Sequence, residues 1–187
     1  AVVHGGDEQL LVWSGSTLRM LGRDMSIVSD FELSTPPGAY ISIAASEELI
    51  YVSINDGEYI DCITHDGTKV ATWQHPVKFM VNPVLAPGGL LFCLLTDDDH
   101  QEQDEIIALE AETLHPRHRF ALSMLHGVSG LCVVREELFV CDTYNNRLQV
   151  FSFAGEHRRS VTGEWKRPGV LCFVKDRLYL IENVDHD

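Results

Sequence analysis

Residues 130–140 read GLCVVREELFV and residues 170–180 read VLCFVKDRLYL, two strings that align without a gap, forty residues apart. Each joins two apolar runs through a charged turn, the pattern of a tight hairpin. A second gapless alignment places Leu138–Glu156 on Ile50–Thr68, 88 residues earlier, or two periods of 44. Leu90–Leu94 with Glu105–Leu109 supply the copy between them, with a longer loop, and Gln9–Trp13 with Thr17–Leu21 an earlier copy with a shorter one. Such a period constrains the chain more than any single motif, because a unit of this length cannot bury both of its faces alone and must stack on its neighbours.

Within a copy, the apolar runs are rich in Val, Ile, Leu, Phe and Tyr and too short for helices, so they read as strands. Asp66-Gly67 and Ala154-Gly155 supply the turn between a third and a fourth strand, since glycine accepts the positive φ that such turns demand. The expected fold is all-β: a β-propeller of four-stranded antiparallel blades. The copies divide a single domain, residues 1–187, into blades at about 1–37, 38–80, 81–126 and 127–167 with a partial blade at 168–187. That is about four and a half blades, read as part of a six-bladed ring. The first and last copies both start with first and second strands and do not complement each other, and the chain lacks an initiator methionine, so it reads as a segment of something longer. Open blade edges would favour self-association.

The most regular copy runs LFVCDTYNNRLQVF from Leu138 to Phe151, with Gly155 after it and Pro168-Gly169 opening the next unit. It resembles the NHL-repeat signature, in which an apolar strand ends in Asp-Thr, a loop with Asn follows, and Arg-Ile/Leu-Gln-Val-Phe and a later Gly close the unit. The likeness is partial elsewhere: Glu182-Asn183 keeps an acid where Asp142 sits, whereas the second copy has Ile54 and Tyr59 in the places of Asp142 and Arg147. Asp142 ends the second strand, where its carboxylate can accept hydrogen bonds from loop amides, and Arg147 opens the third strand and can reach back across the loop to a carbonyl or to Asp142 itself. Asn145 and Asn146 tolerate the left-handed backbone a short loop needs. Asp142, Arg147 and Gly155 are therefore assigned to a structural motif.

Fourteen Lys and Arg against 28 Asp and Glu give a net charge of -14, a field that repels a phosphate backbone and makes nucleic acid an unlikely partner. The five cysteines form no CxxC pair, and each lies in or beside an apolar run. They read as small core residues and favour a reducing, intracellular compartment. No apolar run is long enough to span a membrane, and the first residues do not form a signal peptide.

No GxSxG, HExxH, phosphate loop or CxxC motif is present, and no catalytic residue is assigned. The leading functional expectation is a non-catalytic module that contacts a protein partner through its inter-strand loops. The contact residues expected are Asp97, Asp98 and Asp99 in the acidic loop, and Tyr144, Asn145 and Asn146. No cofactor is expected on that reading. The alternative is a metal-dependent hydrolase of the gluconolactonase type, to which the propeller architecture is similar, with a divalent cation such as calcium at the propeller mouth. Asn55, Asp97, Asp142 and Asn183, each just after a second strand, are then the candidate ligands.

Overall fold

The computed structural model describes residues 2–4, 9–14, 16–33, 41–54, 59–74, 79–96 and 104–183. Its strands form four four-stranded sheets and one two-stranded sheet, each antiparallel and ordered as in the chain. The first holds β1 (Val2–His4), β2 (Gln9–Ser14), β3 (Thr17–Leu21) and β4 (Ile27–Glu32). The second holds β5 (Ile41–Ala45), β6 (Leu49–Ile54), β7 (Tyr59–Thr64) and β8 (Lys69–Gln74). The third holds β9 (Phe79–Ala86), β10 (Leu90–Thr96), β11 (Asp104–Glu110) and β12 (Pro116–Leu125). The fourth holds β13 (Leu131–Val134), β14 (Glu137–Asp142), β15 (Arg147–Ser152) and β16 (His157–Val161), and β17 (Pro168–Val174) pairs with β18 (Arg177–Glu182) in the fifth. The described residues contain no α-helix.

Consecutive sheets pack through their first strands, β1 on β5, β5 on β9, β9 on β13 and β13 on β17. The first strand of each sheet is thus the inner one, and the sheets are propeller blades. Being an edge strand, β9 accommodates Pro83 at a register shift, where no ladder donor is needed.

The period of two explains how one strand serves two cores. In β6, Ile50, Val52 and Ile54 face the first blade and meet Leu11, Leu18 and Met20, while Tyr51 faces the other way toward Leu91, Cys93 and Leu95 of the third blade. Phe92 and Leu94 meet Leu138, Val140 and Phe151, and Phe139 and Cys141 meet Leu171. The second, third and fourth blades are therefore each covered on two sides, each fully buried large side chain contributing about 1.5–3 kcal/mol.

The turn between third and fourth strands recurs in all four four-stranded blades, one residue longer in the third, where the Leu114 N–H donates to Glu110 O. The N–H of Gly67 donates to Thr64 O at 3.0 Å and that of Gly155 to Ser152 O at 2.9 Å, while Met25 and Leu114 occupy the same place in the first and third blades. All four positions have positive φ, from 57° at Leu114 to 86° at Gly67 and Gly155. A second constraint keeps two of them glycine: an added Cβ would lie 3.0 Å from Phe31 at Gly67 and 2.7 Å from Phe120 at Gly155. Phe31 and Phe120 hold the same register on their outer strands, opposite Leu18 and Ile106. Each glycine turn thus seats an aromatic ring of the preceding blade.

Candidate functional site

Asp142 closes β14 opposite Arg147 at the start of β15, and its carboxylate is fully buried. Oδ1 accepts the His126 backbone N–H at 2.9 Å and the Asn145 side-chain amide at 2.9 Å. Oδ2 accepts Arg147 Nε at 2.6 Å. A buried carboxylate needs such donors, since desolvation without them would be costly. The Arg147 guanidinium also donates from Nη2 to Met124 O at 3.4 Å, so the pair holds the loop of its own blade and the chain leaving the third blade.

The guanidinium can only donate, so the Gln149 amide oxygen faces it. In that orientation the oxygen accepts from Arg147 Nη2 at 2.8 Å, and the nitrogen donates to His157 Nε2 at 2.8 Å and Ser160 Oγ at 2.7 Å. The polar chain therefore runs from Asp142 across three strands. The segment from 126 to 130 is held from both sides, because Asp104 Oδ2 accepts the Val128 N–H at 2.8 Å.

Between Asp142 and Arg147 the backbone makes a short 3-10 turn, Thr143–Asn145, ended by Asn146 in the left-handed conformation (φ 52°, ψ 40°). Thr143 is buried; its hydroxyl donates to Pro168 O at 2.7 Å and meets Ser129 Oγ at 2.6 Å, tying the loop to the fifth sheet. Asn146 Oδ1 accepts the Arg167 N–H at 2.7 Å. Asn145 and Asn146 thus spend their side chains on the scaffold.

Tyr144, on the same loop, is 42% exposed. Its ring lies over Gly127, where an added Cβ would come within 2.3 Å of it. It meets His126 edge-on at 5.1 Å between centroids, and Arg167 stands over its face at 5.4 Å. The result is an aromatic plate, partly open to solvent, on a loop clamped at both ends. Cys141 beside Asp142 is no nucleophile at neutral pH, because burial pushes its thiol up to about 12.

Asn55, Asp97, Asp98 and Asp99 lie outside the described residues. Asp142 does not fit a cation ligand: Arg147 occupies the place a metal would take. The register puts Asp142, paired with Arg147, level with Ile54, paired with Tyr59. Asn183 sits against Gly169, where a Cβ would meet its Oδ1 at 2.3 Å. A cleft of about 590 Å³ is lined by Ser42, Asn82 and Ser129 among others, but not by Asp142 or Asn183. Among the described residues no three His, Cys, Asp or Glu converge to hold a metal.

The sequence alone does not reveal Thr143, Ser129, Gln149 or His126 as parts of this network. Their partners come from distant copies or adjacent strands, and the only signal was their place in or near the most regular repeat.

The NHL-repeat family model matches residues 125–151, the stretch that contains Asp142, Tyr144 and Arg147. The chain therefore carries an NHL repeat there. No curated protein matches the sequence. Among solved structures, the chain is similar to a protein of unknown function from Bacteroides caccae, with a TM-score of 0.65 and 16% identity over 90% of this chain. The chain spans 62% of that protein's length. Because 546 solved chains match, likeness of shape does not single out an activity.

Proposed function

We propose that this NHL-repeat propeller is a protein-interaction module that contacts its partner through the loops between second and third strands, with Tyr144 as the central contact. The observation that carries the reading is Tyr144 itself. A large aromatic side chain is left partly exposed on a loop whose every other side chain is committed to holding it. Rigid aromatic anchors of this kind dominate protein interfaces, because they bring large contact area with little conformational entropy to lose. The Arg167 guanidinium beside the ring adds a donor of the type enriched at such centres. Asp97, Asp98 and Asp99, in the equivalent loop of the third blade, belong to the proposed contact surface.

A photo-crosslinking amino acid placed at Tyr144 tests this in the source cells, with one at Arg158, exposed on the outer strand β16, as control. A discrete adduct from position 144 alone is expected. No adduct, or the same adducts from both positions, would overturn the reading.

A further inference from the structure

The turn between first and second strands stands beside a groove in two pairs of blades, and the two grooves have the same build but opposite charge economy. Between the fourth and fifth sheets, the groove is walled by the 134–137 turn, Phe139, Phe173 and Asp176. There the chain supplies its own cations. Arg159 lies 5.5 Å from the centre of the Phe139 ring, and its two terminal nitrogens reach Glu137 at 2.5 and 2.7 Å. Arg135 approaches Asp176 at 3.8 Å.

Between the second and third sheets, a groove of about 340 Å³ takes the same place. Strand register puts Tyr51 where Phe139 is and Leu85 where Phe173 is. The arginine is absent, since Cys62 pairs with Ala71 where Val150 pairs with Arg159. Acids line the rim instead: Glu47, Glu48 and Glu112 surround a floor that includes Leu49 and Leu85. Among the described residues none of the three acids forms an ion pair. Ser46 fixes the turn, its hydroxyl oxygen accepting the N–H of Glu48 at 3.3 Å and of Leu49 at 2.9 Å. Burial first, with the Glu112 charge among the smaller contributions, pushes the Tyr51 phenol up to about 12.

We propose that the groove between the second and third blades receives an arginine side chain from a partner protein, flanked there by apolar residues. The reading rests on the interaction role above and adds a second contact, away from Tyr144. The charge pattern selects the occupant: three carboxylates line one groove without an ion pair among the described residues, and a guanidinium fork can satisfy two carboxylate oxygens at once. Its methylene stem covers Leu49 and Leu85 while the head stays at the rim. Arg159 in the companion groove is the internal precedent for a guanidinium seated between an aromatic wall and a glutamate.

The test is selection from an immobilised nonapeptide library by the full chain at about 20 mM salt, where screening is weak. It is run on the wild type, on the double variant Glu48→Gln with Glu112→Gln, and on Tyr144→Ala. The expected result is selection of peptides with arginine between apolar residues. Binding of these falls about tenfold or more in the double variant and when citrulline replaces arginine, and it persists in Tyr144→Ala. Both glutamine substitutions are exposed and near-isosteric, and a thermal melt checks that they fold. Selection without arginine, no binding at all, or undiminished binding by the double variant overturns the groove. Binding lost only in Tyr144→Ala would sink the groove and leave the interaction role standing.

Discussion

Asp142 carries more of the loop than any other residue, because its one buried carboxylate is shared by a backbone amide, a side-chain amide and a guanidinium. Replacing it by alanine leaves those donors without their acceptor and Arg147 without its countercharge. The expected cost is about 3 kcal/mol, the lower end for a broken buried pair because Arg147 is partly exposed. For a chain of this size that lowers Tm by about 6–12 °C; a shift below about 2 °C in a thermal melt would contradict the assignment. The pairing of Asp142 with Arg147 was legible in the sequence, since both lie at the ends of one loop. The Thr143 link to Pro168 was not, because its partner is 25 residues away and only the stacking of blades brings it near. A second residue makes a claim about pH. Hydrogen bonds, first from the Thr64 hydroxyl and then from the Thr68 backbone, hold the Asp66 carboxyl down at about 2, from an ordinary 3.8. A depressed folded value means stabilisation fully present above the unfolded value and lost as pH falls through the folded one. The Asp66 contribution therefore fades between about pH 4 and pH 2. Thr64→Val should bring the carboxyl back toward 3.8 in an NMR titration, and an unmoved titration would refute the cause.

At the scale of strands and turns, short apolar runs recurring at a fixed period were enough to read an all-β propeller of antiparallel blades, because each run is one strand of a repeated unit. In the second blade the place of Asp142, opposite Arg147, is taken by Ile54, opposite Tyr59, so the polar pair of the most regular blade is apolar two blades earlier. The glycine turns tell the converse story. Asp-Gly and Ala-Gly predicted a turn, but the ring each glycine seats lies in the preceding blade. Gly155→Ala combines a positive φ with a Cβ 2.7 Å from Phe120, so it should cost about 1–3 kcal/mol in denaturant unfolding. A variant as stable as wild type would show that the ring moves freely. Thiols give an independent reading of the packing. Cys62, Cys93, Cys132 and Cys141 are buried and Cys172 is exposed. Burial pushes the thiols of Cys62 and Cys132 up to about 11. A thiol-reactive reagent should therefore modify Cys172 rapidly and the other four only after denaturation. Fast modification of a second thiol in the native state would mean that a blade interface opens.

For the molecule as a whole, the net charge of -14 and the carboxylate-rimmed groove favour the same kind of partner, one that brings cations. Association driven that way should weaken as salt rises, because exposed charges are screened beyond about 8 Å at physiological ionic strength. The Tyr144 plate, built on aromatic contact, should be less sensitive. Composition made the acidity legible, but the two grooves emerged only when the blades were compared in space, since Arg159 and Ala71 occupy corresponding places that no motif marks. The interaction role of Tyr144 requires the loop after β14 to be a rigid mount, and amide hydrogen exchange over residues 126–147, in wild type and Asp142→Asn, tests that rigidity. The Tyr144 and Asn146 amides, bonded to His126 O and Thr143 O, should exchange as slowly as the flanking strands in the wild type. In the variant they should exchange much faster, while residues 90–96 stay protected. A loop that already exchanges freely in the wild type, or one that the substitution leaves protected, would contradict the central claim.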